Sequence, residues 1–278
     1  MRVFIHHCNV MWSSCTCKQL ELKRRIILTL MRSSVSPSRA HGAFASMGRK
    51  PRDGTNKPSA SASASRASAD VTLPLFENAS KSHSKKCAVR HIFTNDILVV
   101  DDVLSPRECA AIVDAIESRN AFAPSTSRGP KFGEAWRQNG RFAKESLEFA
   151  RALWRTTLER CGGNPFDFDI DDAFGFNPNI RVYRYRGVEG DHFGPHVDER
   201  VRASGGLSKF TALFYLSEPT EGGRTIFYDE RGEERCAIEP VVGRALFFRH
   251  GADLPEHEGE EVRGGVKYVL RSDVLFKT

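Results

Sequence analysis

His196, Val197 and Asp198 stand in a row, His257 follows much later, and Lys267 and Arg271 come soon after it. Two imidazoles and one carboxylate can grip an iron(II) ion on one face and leave the opposite face open. On an extended segment residues i and i+2 share a side, so His196 and Asp198 can reach one ion together. The third ligand has two candidates, His250 and His257. His250 ends the apolar run Ala245–Arg249, whereas His257 is followed by a small acidic segment and then by a strand bearing two cations, which favours His257. His192 is set aside. Lys267 and Arg271 are four apart and share one face of that strand, with Val269 between them. A cation facing a protein interior is costly unless paired, and a dicarboxylate such as 2-oxoglutarate supplies the pairing charge. Lys267 is the first choice for its distal carboxylate. Arg271 is either the alternative or a helper at the other end.

These side chains need a scaffold, and the patterning of the second half supplies one. From Ile180 onward short β-rich runs recur: Arg181–Arg186, Phe210–Leu216, Thr225–Tyr228, Cys236–Ile238, Ala245–Arg249 and Lys267–Phe276. Glycine and proline clusters separate them. Several strands at short regular spacing predict a double-sheet barrel or jelly roll. Phe193-Gly194-Pro195 predicts a turn just before His196. In the first half, Ile97–Val100 reads as a short strand. Ser105-Pro106-Arg107-Glu108 reads as a helix start with a capping box, and Cys109, Ile112, Val113 and Ile116 fall on one face. A second helix is expected from about Lys144 to Arg160, stopped by Gly162-Gly163. Between them Gly133–Phe142 is polar with embedded Trp136 and Phe142, and reads as a substrate-facing loop. The fold class expected is α+β, mainly β: a double-stranded β-helix (jelly-roll barrel) core with supporting N-terminal helices.

Charge is distributed unevenly. The 278-residue chain carries a formal +6, but residues 1–70 hold twelve Lys or Arg against three acids, a local +9 that leaves −3 for the rest. The high isoelectric point belongs to the leader, so a nucleic-acid partner for the folded part gains no support from it. Residues 1–90 are read as a basic, Ser/Ala-rich disordered leader and residues 91–278 as the folded domain. The leader has the Arg- and Ser-rich, acid-poor composition of an organellar transit peptide. Alternatively Met47 is the true start, which would make the protein cytoplasmic or nuclear. His6-His7-Cys8 with Cys15 and Cys17 resembles a metal cluster but has no evident scaffold. The seven cysteines suggest no disulfide framework and favour a reducing compartment. No apolar run reaches the length of a membrane span.

Residues from about 97 to 277 resemble the iron(II)/2-oxoglutarate-dependent dioxygenase superfamily, close to the prolyl 4-hydroxylase catalytic-subunit type. The matching pieces are RVYRYR with GPHVDE, TALFYLSEPTEGGRTIFY, GRALFFRH and EHEGEEVRGGVKYVLRSDVLF. The resemblance implies a distorted jelly-roll barrel and iron bound by His196, Asp198 and His257. It implies 2-oxoglutarate held by Lys267, with Tyr185 and Thr225 lining the cosubstrate pocket. It also implies O2 as cosubstrate, ascorbate as reductant, and oxidative decarboxylation of 2-oxoglutarate coupled to hydroxylation of a substrate, a prolyl residue in a protein being one candidate.

This chain departs from the family in three places. Phe193 stands three residues before the first metal histidine, where prolyl hydroxylases of the family commonly carry a tyrosine that bonds the cosubstrate. The loop between Tyr185 and His196 is slightly long, and the tail LRSDVLF differs from the collagen-type enzymes. These departures bear on the substrate, whether protein or small molecule, more than on the metal chemistry. Rival readings are an oxidative demethylase of nucleic acid, disfavoured by the mildly acidic domain, and a non-catalytic binding module, disfavoured by the intact ligand set. A zinc hydrolase would need a catalytic base at a helical metal motif, which is missing.

Overall fold

Period-two alternation of apolar residues builds fourteen strands of the described residues into one long antiparallel sheet. The computed structural model describes residues 70–76, 87–92, 96–163, 165, 172–250 and 256–278. The expected leader lies outside the described residues up to position 69, as do both candidate starts and the His6/His7/Cys8/Cys15/Cys17 cluster. Val71 and Leu73, within the stretch read as leader, are buried in the core.

In chain order the elements begin with β1 (Val89–Ile92), β2 (Ile97–Val100), helix α1 (Pro106–Glu117), β3 (Ala123–Thr126) and β4 (Arg137–Glu145). Helix α2 (Leu147–Cys161) is followed by β5 (Ala173–Phe176), β6 (Asn179–Arg186), β7 (His192–His196), β8 (Arg202–Ala203) and β9 (Gly206–Tyr215). The chain closes with β10 (Glu221–Gly222), β11 (Thr225–Tyr228), β12 (Glu234–Ile238), β13 (Ala245–Arg249), β14 (His257–Gly259), β15 (Val262–Gly264) and β16 (Val266–Lys277).

The main sheet runs β1-β2-β13-β9-β16-β6-β4-β7-β14-β11-β12, and β10 and β15 form a separate ribbon. The sheet curls into the expected jelly-roll core. Its two faces bury different things. Leu98, Phe214, Phe247, Leu270 and Val182 point to the helical side, where Ile112, Ile116, Phe149 and Leu153 complete one core cluster. Val99, Tyr215, Leu246, Val269, Tyr183 and Tyr185 point to the inside of the curl and form a second cluster. The chemistry lies on this inner face.

Both helices start where their caps dictate. Ser105 accepts the Glu108 amide and Glu108 accepts the Ser105 amide, so the capping box forms as expected. In α2, Ser146 caps by accepting the Phe149 amide. The helix therefore begins at Leu147, and Lys144 and Glu145 complete β4 instead. Gly162, at φ 72°, takes the left-handed conformation that ends α2. The helices are clamped by a buried bidentate pair. Arg160 Nη1 and Nη2 each lie 2.7 Å from a Glu108 carboxylate oxygen, and Nη1 also donates to the Val103 carbonyl.

Two local expectations are corrected. Gly133–Phe142 is not one loop, because from Arg137 onward it is strand β4, paired with β3, β6 and β7. Phe193-Gly194-Pro195 is not a turn but the middle of β7, where the Gly194 amide donates to the Trp136 carbonyl at 2.7 Å.

Candidate metal centre

Antiparallel pairing of β7 and β14 sets His257 directly opposite His196 in register. Asp198 follows two residues beyond the end of β7. One ligand atom from each of the three lies within 4.8 Å of the others. His196 Nε2 is 3.6 Å from Asp198 Oδ1, and His257 Nε2 is 3.6 Å from Asp198 Oδ2. His196 Nδ1 sits 2.9 Å from the Gly194 carbonyl. A carbonyl only accepts, so the proton is on Nδ1 and the Nε2 lone pair faces the carboxylate. The three side chains that the sequence singles out therefore do converge. His250 is buried elsewhere in the network and does not join them.

Burial decides the charge states. Desolvation pushes the His196 imidazole down to about 4 and His257 down to about 3. Both are neutral at ordinary pH, the form that ligates a metal. Asp198 behaves oppositely. Burial works against its charge, but Arg271, His257, His196 and the Thr211 hydroxyl together hold its carboxyl well below the usual range. Arg271 Nη2 donates to Oδ1 at 2.9 Å and Thr211 Oγ1 donates to Oδ2 at 2.6 Å. Two neutral imidazole nitrogens and one carboxylate turned toward a common point fit an iron(II) ion.

Aromatic rings hold the imidazoles in place. The Phe193 ring stacks on His196 with centroids 3.6 Å apart and an interplanar angle of 22°. Phe248 meets the His257 ring edge-on at 4.5 Å. The Arg137 guanidinium lies 3.6 Å from the Phe193 ring centroid. In this chain Phe193 thus packs between a metal-side histidine and a cation. Its contribution is shape, since it has no hydroxyl to donate.

A pocket opens beside His196, Asp198 and His257, and Lys267, Arg271, Tyr185 and Thr225 all line it. Lys267 is 3% exposed. Among the described residues no carboxylate comes within ion-pair distance of its ammonium. Nζ lies 5.3 Å from the Tyr185 ring and 5.5 Å from the Tyr215 ring. Burial pushes the Lys267 ammonium down to about 8. Arg271, by contrast, already has Asp198 as a partner and lies 3.7 Å from Asp273. Of the two cations, Arg271 is the one with carboxylate partners among the described residues, and Lys267 is not. Sequence reasoning missed Tyr215, whose hydroxyl bonds Thr225 Oγ1 at 2.7 Å. It also missed Tyr183, Leu213 and Phe248, which line the pocket themselves, whereas Tyr215 stands behind Thr225. The alternation of Tyr183 and Tyr185 along β6 was the available signal for the first of these.

Residues 180–272 match the 2OG-Fe(II) oxygenase superfamily. The chain is 23% identical to Prolyl 4-hydroxylase subunit alpha-1 of Caenorhabditis elegans, over 60% of this chain and 31% of that one. It thus spans about a third of that relative's length. Among solved structures, the collagen prolyl hydroxylase of Paramecium Bursaria Chlorella virus-1 aligns with a TM-score of 0.45 and 18% identity, covering 65% of this chain and 96% of that one. A Pseudomonas putida prolyl-4-hydroxylase aligns with a TM-score of 0.47 and 17% identity, covering 66% and 95%. The matched segment contains His196, Asp198, His257 and the cation-bearing part of β16. Residues 180–272 of this chain thus resemble the 2OG-Fe(II) oxygenase superfamily, and the chain is similar to a prolyl 4-hydroxylase subunit.

Proposed function

We propose that the protein is an iron(II)- and 2-oxoglutarate-dependent dioxygenase that hydroxylates a carbon–hydrogen bond, with a prolyl residue of a polypeptide as the first candidate substrate. The observation that carries this reading is the placing of a buried, unpaired Lys267 on the wall of the same pocket as the His196, Asp198 and His257 donor atoms. An ammonium in that position costs stability unless an anion enters. The prolyl substrate draws support from the family resemblance and from the name of the curated relative. The catalytic domain is taken as residues 91–278 together with the start of β1 and the core residues Val71 and Leu73 that precede it, with ascorbate as the reductant.

Each side chain has a defined task. His196, Asp198 and His257 hold the metal through Nε2, one carboxylate oxygen and Nε2. Lys267 pairs with the distal carboxylate of 2-oxoglutarate, with Tyr185 and the Tyr215–Thr225 pair shaping the same end of the pocket. Arg271 keeps Asp198 ionised and is positioned for the proximal end. Phe193 and Phe248 exclude water from the imidazoles. When bound, iron and 2-oxoglutarate supply the oxidising chemistry, in which 2-oxoglutarate and O2 become succinate and CO2 and one oxygen atom enters the substrate.

The test is succinate release from 2-oxoglutarate with added Fe(II), compared between the native protein and His196→Ala. Release by the native protein alone supports the reading, and no release by either protein refutes it. Mass spectrometry of proline-containing peptides incubated with the enzyme, searched for the mass of one added oxygen, then tests the prolyl substrate.

A further inference from the structure

Behind Asp198 lies a chain of buried polar groups that the reaction itself does not use. Thr211 Oγ1 is 2.6 Å from Asp198 Oδ2 and 2.7 Å from His250 Nε2. His250 Nδ1 is 3.1 Å from Ser208 Oγ, and Ser208 Oγ accepts the Val201 amide at 2.8 Å. Thr211, Ser208 and His250 are all within 1% of full burial. Thr211 and Ser208 sit on β9, and His250 follows β13, which pairs with β9. The His250 amide donates to the Lys209 carbonyl at 2.7 Å, which fixes the residue between its two partners.

The hydrogens in this chain can point only one way. The carboxylate of Asp198 accepts, so the Thr211 hydroxyl donates its single proton there. Thr211 Oγ1 must then accept from His250, which places the imidazole proton on Nε2. His250 Nδ1 is left as an acceptor, and the Ser208 hydroxyl donates to it. Every donor therefore points toward Asp198. The chain begins at the Val201 amide, in the same loop that leaves Asp198, so it closes a ring around the segment that carries the ligand.

We infer that His250 is a positioning residue for the iron ligand: through Thr211 it orients the Asp198 carboxylate so that the oxygen face left by Arg271 and Thr211 meets the metal. This rests on the iron reading above. It also explains why a buried histidine beside the triad is not itself a ligand, since both of its ring nitrogens are engaged by hydroxyls.

The test measures Mn(II) affinity by titration and the ligand-field absorption spectrum of the Co(II)-substituted protein, for the native chain, Thr211→Val, His250→Phe, His250→Gln and the double variant Thr211→Val/His250→Phe. Loss of partners behind a metal ligand typically weakens binding about 10- to 100-fold. Thr211→Val and His250→Phe are expected to weaken Mn(II) binding by about tenfold or more and to alter the Co(II) spectrum. His250→Gln, which keeps an N–H donor, should restore much of both. Because the groups act in series, the double variant should bind little worse than either single one. Native affinity and spectrum in Thr211→Val, or fully additive losses in the double variant, would overturn the inference. Thr211→Val, nearly isosteric, decides the matter if His250→Phe does not fold. Failure of the native protein to bind Mn(II) or Co(II) would overturn the iron reading itself, an outcome distinct from unaffected variants.

Discussion

Arg271 Nη2 lies 2.9 Å from Asp198 Oδ1, so the carboxylate proposed as a metal ligand is also half of a buried ion pair. Removing one partner of a buried ion pair leaves a bare charge and costs about 3–5 kcal/mol. Arg271→Leu should therefore destabilise the metal-free protein by roughly that amount. A divalent ion can take over the task of neutralising Asp198. Adding Mn(II) should then raise the melting temperature of Arg271→Leu by more than it raises that of the native protein. Equal shifts in thermal melts would show that the ion pair and the metal do not share the carboxylate.

Lys267 poses the reverse case. Its folded value of about 8 lies below the 10.5 of a free lysine because of burial. The charged form is thus disfavoured in the folded state, and this cost is fully present below about pH 8 and relieved between there and 10.5. A shift of that size corresponds to on the order of 3 kcal/mol. Lys267→Met should stabilise the ligand-free protein at pH 7 by about 1–3 kcal/mol while abolishing 2-oxoglutarate binding. Denaturant unfolding and calorimetric titration check the two halves, and the stability gain should shrink as pH approaches 10.5.

Far from the pocket, the Glu108–Arg160 pair carries the helical layer. Burial opposes the Glu108 charge, but Arg160 and the Ser105 groups hold its carboxyl down to about 2. A depressed acid contributes stability above about pH 4.5 that is lost as pH falls toward 2. Glu108→Gln should cost about 3–5 kcal/mol at pH 7, measured by urea unfolding. The difference from the native protein should narrow through that acidic window.

His196 and His257, at about 4 and 3, sit below the 6.5 of a free imidazole. In the metal-free protein the unfolded chain takes up protons first, so stability falls as pH drops from about 6.5 toward 3. Unfolding curves recorded with chelator across that range should show the loss, and His257→Phe should remove part of it.

Much of this arrangement was legible in the chain, for identifiable reasons. Thr225–Tyr228 and Ala245–Arg249 were read to the residue, because glycines bound them and their inner and outer faces are both apolar. The convergence of His196 and Asp198 was legible because they are two apart on extended chain. Strand β4 was not, because its inner face lines a polar region. Arg137 and Asn139 occupy positions where periodicity looks for apolar residues. At Gly140 an added Cβ would press on the Arg184 side chain at 3.3 Å, so the glycine marks close packing between β4 and β6 and not a loop. Strand β14 has three residues, too few for any period to show. The Ser208–His250–Thr211 chain was invisible because its members are ordinary residues whose meaning lies only in their contacts.

Strand β16 places Lys267, Val269, Arg271 and Asp273 on one side of the sheet and Tyr268, Leu270, Ser272 and Val274 on the other. Lys267, Val269 and Arg271 of the first set line the pocket beside His196, Asp198 and His257, while Leu270 and Val274 sit in the helical core. Odd-numbered and even-numbered positions are therefore subject to separate demands. A lineage can retune what the pocket accepts by changing odd positions while even positions keep the domain folded. Insertion of a single residue anywhere along the strand exchanges the two sets from that point on, so in this segment substitution is the tolerated route of divergence and insertion is not.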